Sequence, residues 1–437
     1  MTRHKTSDHR YDDTHRFLCS LERFGILLGL ENIAELLAKL GNPQRTFPVV
    51  HVGGSNGKGS TASFVCRVLQ EAGFRTALYT SPHLNDFRER IRFDGQMVSK
   101  EAVIAATEKV RAVYDSARTT YFEFTTAVAF DCIAQASPDI AVVEVGLGGR
   151  LDATNTVSPL VTVITDIARE HEDYLGVGIR AVATEKAGII KQGIPVVTGA
   201  SRRDARAVIL DRAAGLDAPV REYGRHFKGV RIGLNRFTYR SEAMLLEGIE
   251  LGMAGSHQTK NASLACAVIE ELRTSGYRIP ERAIREGLRT TSFPGRFEVL
   301  RRKPDVIIDG AHTPEGMRLV KSTFRQHYPG VRPFLILGAL REKNYKTMLR
   351  TIAELGKEIV CVTPQGDRAL PAEELAAEVR ALGLPAKAID RITDGFEQVM
   401  HTARPEDVIL ATGSLYMIGP IRIACGEEQA MDLTGQP

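Results

Sequence analysis

The sequence predicts an α/β protein of two domains, each with a largely parallel sheet covered by helices. Apolar, valine-rich runs typical of buried strands alternate with segments of helical periodicity along most of the chain. This alternation favours parallel strands joined by helices that cover both faces of the sheet. With 437 residues, of which 43% are hydrophobic, the chain is long enough for two or three packed cores.

The first strand is predicted at Phe47–Val52, where three of six residues are valines. A glycine-rich loop follows, and then a helix over Ser60–Ala72 that ends at Gly73. Four later apolar runs are predicted strands of the same sheet: RTALYTSPHL, DIAVVEVGLGG, LVTVITDI and IPVVTGA. The segment KGVRIGLNRFTYRSEAMLLEGIELGM is predicted to be a β-ribbon inserted near the end of this domain.

A new series of strands begins after Pro294-Gly295, which we interpret as the boundary between the domains. The predicted strands of the second series are DVIIDGAH, PFLILGAL, EIVCVTP and DVILATGS. We therefore expect a large P-loop-containing domain over residues 1–295. A smaller, Rossmann-like α/β domain is expected over residues 296–437.

Composition limits the classes of partner. The net charge of +4 comes from 57 basic and 53 acidic side chains, which suits small anionic ligands and does not require nucleic acid. A basic run over residues 273–303 is either a solvated helix face or a surface near bound polyanions. The six cysteines are widely spaced, and the first seventeen residues are polar. We expect a cytoplasmic monomer without membrane segments.

The loop Gly53–Ser60 has the composition of a phosphate-binding loop. It reads G-x-x-G-K-G-S, whereas the ordinary P-loop is G-x-x-x-x-G-K-[ST]. Backbone N–H groups at a helix N-terminus bind anions, a lysine adds charge at the terminal phosphates, and a hydroxyl can reach magnesium. The residues predicted to bind nucleotide here are Gly54, Asn56, Gly57, Lys58, Gly59, Ser60 and Thr61.

The segment HVGGSNGKGSTASF resembles the loop of the Mur ligase superfamily, especially its folylpolyglutamate synthase/dihydrofolate synthase branch. The glycine between lysine and hydroxyl is that family's form. Further blocks resemble the family in the same order: Thr80–Ser99, Thr120–Thr126, Glu144–Asn155, Glu185–Lys191, His257–Ala265, Phe293–Val299, Asp309–Gly316 and Gly413–Gly419. The most specific are TSPHL…ERI and EVGLGGRLDATN.

The resemblance implies an ATP-dependent ligase that adds L-glutamate to dihydropteroate, to folates, or to both, through an acyl phosphate. It also implies two magnesium sites, and a lysine, Lys186, modified by carbon dioxide to a carbamate. The implied metal ligands are Ser60, Ser81, Glu144, His171 and Lys186. The implied catalytic residues are Lys58, His171, Lys186 and Arg296.

The resemblance also assigns the remaining ligand contacts. Asn261, Arg296, Asp309 and His312 are implied to complete the nucleotide site, Arg296 entering it when the second domain closes. The implied pteridine-binding residues are Thr120, Tyr121, Phe122, Glu123, Leu151, Asp152 and Ala153. From the residues alone, Phe122 and Phe124 are also well explained as core residues.

Three positions depart from the family pattern. Glu170 stands where the family usually has aspartate, Thr313 where it has asparagine, and Asn344 where it has aspartate. Two alternatives stay open. One is a ligase for another carboxylate, such as a cell-wall nucleotide peptide, although the loop begins too early for the extra N-terminal domain of those enzymes. The other is a nucleotide-binding regulator without catalysis.

Overall fold

The structure, a computed structural model, describes residues 7–21 and 29–426. Two compact units are distinguished. The first comprises Met1–Val230, Thr238–Ile249 and Lys260–Leu288, and the second Arg231–Phe237, Glu250–Thr259 and Arg289–Pro437. The boundary at residue 295 and the two domain ranges stay predictions.

The first unit is built on an eight-stranded sheet of order β4-β3-β2-β5-β1-β6-β7-β8. Its strands are β1 (Val49–Gly53), β2 (Thr76–Tyr79), β3 (Ile91–Phe93), β4 (Gln96–Met97), β5 (Ile140–Glu144), β6 (Val161–Ile164), β7 (Val196–Thr198) and β8 (Val220–Glu222). β1 lies in the middle, parallel to β5 and β6, and all five of its residues are buried. The five strands predicted from apolar runs are all present.

The edge pair β3–β4 was not predicted. β2 pairs with β3, and β3 with β4, in antiparallel fashion. The turn between β3 and β4 contains Asp94 and Gly95, both with positive φ. An Asp-Gly dipeptide between short apolar runs is a strong hairpin signal, so this pair could have been found from the sequence.

Helices cover this sheet as the prediction required. They are α1 (Ser7–Ser20), α2 (Glu31–Lys39), α3 (Lys58–Glu71), α4 (Lys100–Arg111), α5 (Tyr121–Ala136), α6 (Glu172–Leu175), α7 (Ile179–Ala187) and α8 (Arg203–Ala214). One apolar cluster joins the helices α1, α2, α4 and α5 to β1, β2 and β5, and includes Phe124 and Phe130. A second joins α7 and α8 to β6 and β7. Burial of both faces explains why these strands lack polar alternation.

The predicted ribbon is a three-stranded sheet of order β11-β10-β9. Its strands are β9 (Phe227–Arg231), β10 (Arg236–Ser241) and β11 (Leu245–Glu250). Phe237 and Tyr239 are buried on alternate positions of β10, whereas the buried residues of β11, Leu246 and Ile249, are three positions apart. The period of two in β10 is expected of a strand covered on one face. The helices α9 (Ser256–Thr274) and α10 (Glu281–Thr290) follow.

The second unit contains a six-stranded sheet of order β12-β13-β17-β14-β15-β16. The strands are β12 (Glu298–Arg301), β13 (Asp305–Asp309), β14 (Phe334–Leu337), β15 (Glu358–Val362), β16 (Ala386–Ile389) and β17 (Val408–Thr412). The helices are α11 (Pro314–His327), α12 (Tyr345–Ile352), α13 (Ala372–Ala381), α14 (Ile392–Thr402) and α15 (Leu415–Ala424). All pairs are parallel except β12–β13. The α/β fold class is confirmed. The strands β12 and β16 of this sheet were not predicted, and neither were β3, β4 and β8 of the first sheet.

Within the described residues, no helix combines the length and the apolar character needed to cross a membrane. All six cysteines lie in the described residues, none of them is in a disulfide, and four are buried.

Candidate active site

The glycine loop lies between the carboxyl end of β1 and the first turn of α3. Gly54 and Gly57 have φ values of +135° and +84°, a region that favours glycine. A Cβ on Gly54 would overlap the hydroxyl of Thr165, and one on Gly57 would overlap the side chain of Asn261. Both glycines are therefore required by conformation and by space. Asn261, predicted near the nucleotide base, lies against this loop.

Hydrogen bonds fix the loop to the chain that follows β6. The Ser55 N–H donates to the carbonyl oxygen of Asp166 over 2.8 Å, and the Ala168 N–H donates to the Ser55 hydroxyl over 2.9 Å. The Thr165 hydroxyl donates to the carbonyl oxygen of Asn56 over 2.7 Å. These bonds hold the loop in one conformation before any ligand binds. Thr165 was missed, because a threonine at a strand end has no distinctive sequence signal.

Two lysines meet at one loop carbonyl. The Gly54 carbonyl oxygen accepts hydrogen bonds from Lys58 Nζ over 3.0 Å and from Lys186 Nζ over 2.9 Å. Lys58 also donates to the Ser55 carbonyl over 3.2 Å, while Lys186 forms a 2.8 Å ion pair with Glu170. The predicted residues Lys58 and Lys186 are thus brought together. Glu170, which joins them, was not predicted to do so.

Burial changes the proton affinity of this cluster. Lys186 is only 2% exposed, and desolvation, together with the nearby charge of Lys58, lowers its pKa from 10.5 to about 8. Burial alone would raise the pKa of Glu170, but Lys186 and Lys58 outweigh it and lower that pKa to about 2. Glu170 is therefore a stable anion, whereas Lys186 has an unusually accessible neutral form.

Oxygen donors lie at the ends of the neighbouring strands β2 and β5. Glu144, 4% exposed, ends β5, and its Oε2 accepts a 3.0 Å hydrogen bond from the Ser81 N–H just after β2. Ser60 and Thr61 lie buried in the first turn of α3. The Thr61 hydroxyl has no hydrogen-bond partner among the described residues. Carboxylate and hydroxyl oxygens are ligands that magnesium prefers.

His171 occupies a different environment from Glu144. It precedes α6 with φ +48° and its side chain is exposed. Across residues 7–21 and 29–426, no group of three or more His, Cys, Asp or Glu could hold a metal ion. Of the predicted metal ligands, only Glu144 and His171 are of these residue types. A metal site here would therefore also need hydroxyl groups and a modified lysine.

The predicted pteridine residues form two small networks. Thr120 and Glu123 form a capping box at the start of α5, in which Glu123 Oε2 accepts the Thr120 N–H and hydroxyl, both over 2.8 Å. T-x-x-E is the sequence signature of a capping box, but this role was not predicted. Phe122 lies so close to Gly146 that a Cβ there would overlap its ring. Phe124 is fully buried in the core, as the residues alone suggested.

Asp152 is the centre of the second network. One carboxylate oxygen accepts the Leu147 N–H over 2.8 Å, and the other accepts the Thr154 N–H and hydroxyl over 3.0 and 2.5 Å. Burial raises the pKa of Asp152, although these hydrogen bonds oppose the shift. The Thr154 hydroxyl also lies 2.9 Å from His51 Nε2. Leu151 and Ala153 flank Asp152 in the same turn.

The remaining predicted residues belong to the second unit. Asp309 ends β13 and accepts the N–H groups of Phe297 and Ala311 over 2.9 and 2.8 Å. Asp309 thus fixes the chain beside Arg296, whose Nη1 donates to the Gly295 carbonyl over 3.3 Å. His312 Nδ1 lies 2.9 Å from the Gly310 carbonyl oxygen. These three residues are brought together around one turn.

The chain is similar to known proteins over most of its length. The Mur ligase middle domain matches residues 52–269, and the Mur ligase glutamate ligase domain matches residues 295–415. A Bacillus subtilis dihydrofolate synthase/folylpolyglutamate synthase is 33% identical over 426 residues, covering 94% of this chain and 98% of the relative. The chain belongs to the folylpolyglutamate synthase/dihydrofolate synthase family of Mur ligases.

Solved structures of the family superpose closely on this chain. Escherichia coli FolC in complex with DHPP and ADP gives a TM-score of 0.84 at 30% identity, covering 94% of this chain and 97% of that one. A Yersinia pestis bifunctional folylpolyglutamate synthase/dihydrofolate synthase with AMPPNP and Mn gives 0.85 at 29% identity, covering 97% and 100%. The family resemblance stated from sequence is therefore confirmed.

The departures from the family pattern have local explanations. Asn344, in place of aspartate, caps α12 by accepting the Thr347 N–H over 3.3 Å, which an aspartate could also do. Thr313 caps α11 by accepting the Gly316 N–H over 3.1 Å. Glu170 retains the carboxylate of the aspartate it replaces and pairs with Lys186.

Proposed function

We propose that this protein is an ATP-dependent ligase that joins L-glutamate to dihydropteroate, to folates, or to both. The observation that carries the proposal is the loop between β1 and α3, where Lys58 and Lys186 meet at the Gly54 carbonyl. Ser81 and Glu144 are in contact at neighbouring strand ends. Ligands of open parallel sheets bind at the carboxyl ends of strands. Relatives solved with ADP, AMPPNP and Mn support the same assignment.

The chain's own groups account for the binding of the nucleotide. The N–H groups of residues 54–60 and the N-terminus of α3 bind the phosphates, and Lys58 adds a positive charge. By the family resemblance, Asn261, Arg296, Asp309 and His312 contribute the other nucleotide contacts. Arginine suits phosphate because its planar donors match the phosphate oxygens.

Phosphoryl transfer precedes amide formation. An oxygen of the acceptor carboxylate attacks the γ-phosphorus, the bond to ADP breaks, and an acyl phosphate forms. The glutamate amine then attacks the acyl carbon, loses a proton, and inorganic phosphate leaves. Because ATP and the acceptor are both anions, the site must neutralise charge, and Lys58 and Arg296 serve this purpose.

A divalent cation would neutralise further phosphate charge when bound. The residues proposed to hold it are Ser60, Ser81, Glu144 and His171, with Lys186 as a carbamate, and two cations are proposed. The lowered pKa of Lys186 supports the modification, because only a neutral amine attacks carbon dioxide. A second anion beside Glu170 would need a cation to balance it.

The pteridine is proposed to lie against Phe122, with Thr120 and Asp152 as polar contacts. Asp152 is buried and held by three donors, so its position is fixed before the substrate binds. Glu123 supports the site by capping α5. Cytoplasmic location, a monomeric state and the absence of a nucleic-acid partner stay part of the proposal.

The test is an assay with each component omitted in turn. Purified protein with ATP, magnesium, glutamate and either dihydropteroate or a folate should release phosphate only when all are present. With an acceptor labelled with ¹⁸O in its carboxyl group, one label should appear in inorganic phosphate. Turnover with a UDP-linked peptide acceptor and none with pteridines would favour the alternative carboxylate ligase. ATP binding without turnover on any acceptor would favour the non-catalytic regulator.

A further inference from the structure

The chain between β2 and β3 forms a rigid turn over residues 82–90. Glu89 accepts hydrogen bonds from the N–H groups of Leu84, Asn85 and Asp86, over 2.8 to 3.0 Å. Asp86 completes a capping box, pairs with Arg88 at 2.7 Å and accepts the Tyr11 hydroxyl at 2.5 Å. Both acidic side chains of the turn are therefore occupied.

Arg90, the last residue of this turn, is buried without a carboxylate partner. It is 6% exposed, and within the described chain it forms no ion pair. Its Nε donates a 2.7 Å hydrogen bond to His83 Nδ1. Its guanidinium carbon lies 5.6 Å from the centre of the Tyr121 ring and 6.0 Å from that of Phe87. The aromatic rings offset only part of the free-energy cost of burying the guanidinium without a counter-ion.

The hydrogen bond to Arg90 also fixes the state of His83. Since Nδ1 accepts a hydrogen bond, the ring proton of the neutral imidazole must lie on Nε2. Arg90 Nη1, Arg90 Nη2 and His83 Nε2 are thus all donors. A group of hydrogen-bond donors around one buried positive charge is suited to binding an anion.

This pair lies between two parts of the proposed active site. The Arg90 carbonyl oxygen accepts the N–H of Thr80, which precedes Ser81. Ser81 in turn contacts Glu144. On the other side, Tyr121 lies next in the chain to Phe122, the proposed wall of the pteridine site. The acceptor must extend from that wall toward the phosphoryl group.

We propose that Arg90 and His83 bind a carboxylate of the acceptor substrate. The inference rests on the proposed function and adds a specificity-determining residue to it. A carboxylate supplies the counter-ion that Arg90 lacks, and the planar guanidinium can donate to both of its oxygens. For a folate, this carboxylate is either the reacting one or its neighbour on the terminal glutamate. For dihydropteroate, only the reacting carboxylate exists.

The experiment compares equilibrium binding of each acceptor with binding of its carboxamide analogue, without ATP. Wild type should bind the carboxylate at least about tenfold more tightly than the amide, since hydrogen bonds to charged groups are stronger. Arg90→Met should abolish this preference and leave affinity for the amide and for an ATP analogue unchanged. Arg92→Met, on β3 where Arg92 donates to the Gly95 carbonyl, is the matched control and should keep the preference.

A purely structural role would weaken carboxylate and amide equally, which would overturn the inference. Unchanged preference in Arg90→Met would do the same. If that variant does not fold, His83→Leu, which removes the side-chain N–H donor, should reduce the preference instead. Loss of preference for folates alone would identify the neighbouring carboxylate, and loss for both acceptors the reacting one. Failure of wild type to bind any pteridine carboxylate would instead contradict the proposed function.

Discussion

At the scale of single residues, Lys186 differs most from an ordinary surface lysine, because it is buried and its pKa is lowered. A lysine with a pKa of about 8 has about 10% of its amine neutral at pH 7, some 300-fold more than at a pKa of 10.5. The family resemblance, and not the residue pattern, pointed to Lys186. Its burial and its contact with the Gly54 carbonyl required the fold.

Carbamylation of Lys186 should be directly detectable. With ¹³C-labelled bicarbonate and magnesium, wild type should show a carbamate carbon signal by NMR that Lys186→Arg lacks. The signal should weaken when magnesium is removed, because the carbamate would then face the Glu170 anion alone. Lys191→Arg is the control, since Lys191 donates to the Asn155 carbonyl away from the loop. A signal in Lys186→Arg equal to that of wild type would contradict the assignment.

Lys58→Ala should impair phosphoryl transfer with little effect on folding. Loss of one preorganised group that stabilises developing transition-state charge lowers kcat by about 100- to 1000-fold, and we expect a loss of this size here. Within the described part of the chain, Lys58 makes two hydrogen bonds, both to its own loop, so the unfolding midpoint should change little. The rate of phosphate release measures kcat, and thermal denaturation measures the unfolding midpoint. Glutamate incorporation at the wild-type rate would refute the role of Lys58.

At the scale of elements, the glycine loop was predictable and its surroundings were not. The strand, loop and helix followed from valines, glycines and a helical period. Thr165 and Asn261, which leave no room for side chains at Gly54 and Gly57, are distant in sequence. Two local features could also have been predicted: the Asp94-Gly95 hairpin from its Asp-Gly dipeptide, and the Thr120–Glu123 capping box from its T-x-x-E pattern. Arg90 could not be recognised, because the absence of an ion pair to it among the described residues is visible only in three dimensions.

Gly57→Ala tests whether the loop is limited by space as well as by backbone angle. Gly73→Ala is a matched control, since Gly73 has a similar φ of +91° with open space around it. A positive φ alone costs about 1 kcal/mol of unfolding free energy for alanine. Gly57→Ala should cost more and also weaken binding of an ATP analogue, because Asn261 must move. Equal losses in the two variants would show that the contact with Asn261 is unimportant.

At the scale of the whole molecule, neutral buried histidines make stability sensitive to acid. Burial lowers the pKa of His51 and His83 to about 3, and that of His257 to about 4. In the unfolded chain these groups bind protons below about pH 6.5, whereas in the folded protein they do not. The unfolded state therefore binds more protons, and stability falls as pH decreases from 6.5 toward 4.

His51→Gln should make this dependence shallower. Each such histidine contributes a slope of about 1.4 kcal/mol per pH unit within the window between its two pKa values. Urea denaturation between pH 4.5 and 6.5 should show the smaller slope for His51→Gln. His401→Gln, which replaces an exposed histidine, is the control and should retain the wild-type slope. Identical slopes in wild type and His51→Gln would show that His51 is protonated in the folded state.

The short outer strands of the large sheet affect how the protein behaves at high concentration. One border is the two-residue strand β4 and the other the three-residue strand β8. A sheet recruits foreign strands through unpaired backbone groups along its borders. Edge strands this short expose few unpaired N–H and C=O groups to which the strand of another molecule could pair. We therefore expect the sheet to resist edge-to-edge aggregation even with no other chain covering its edges.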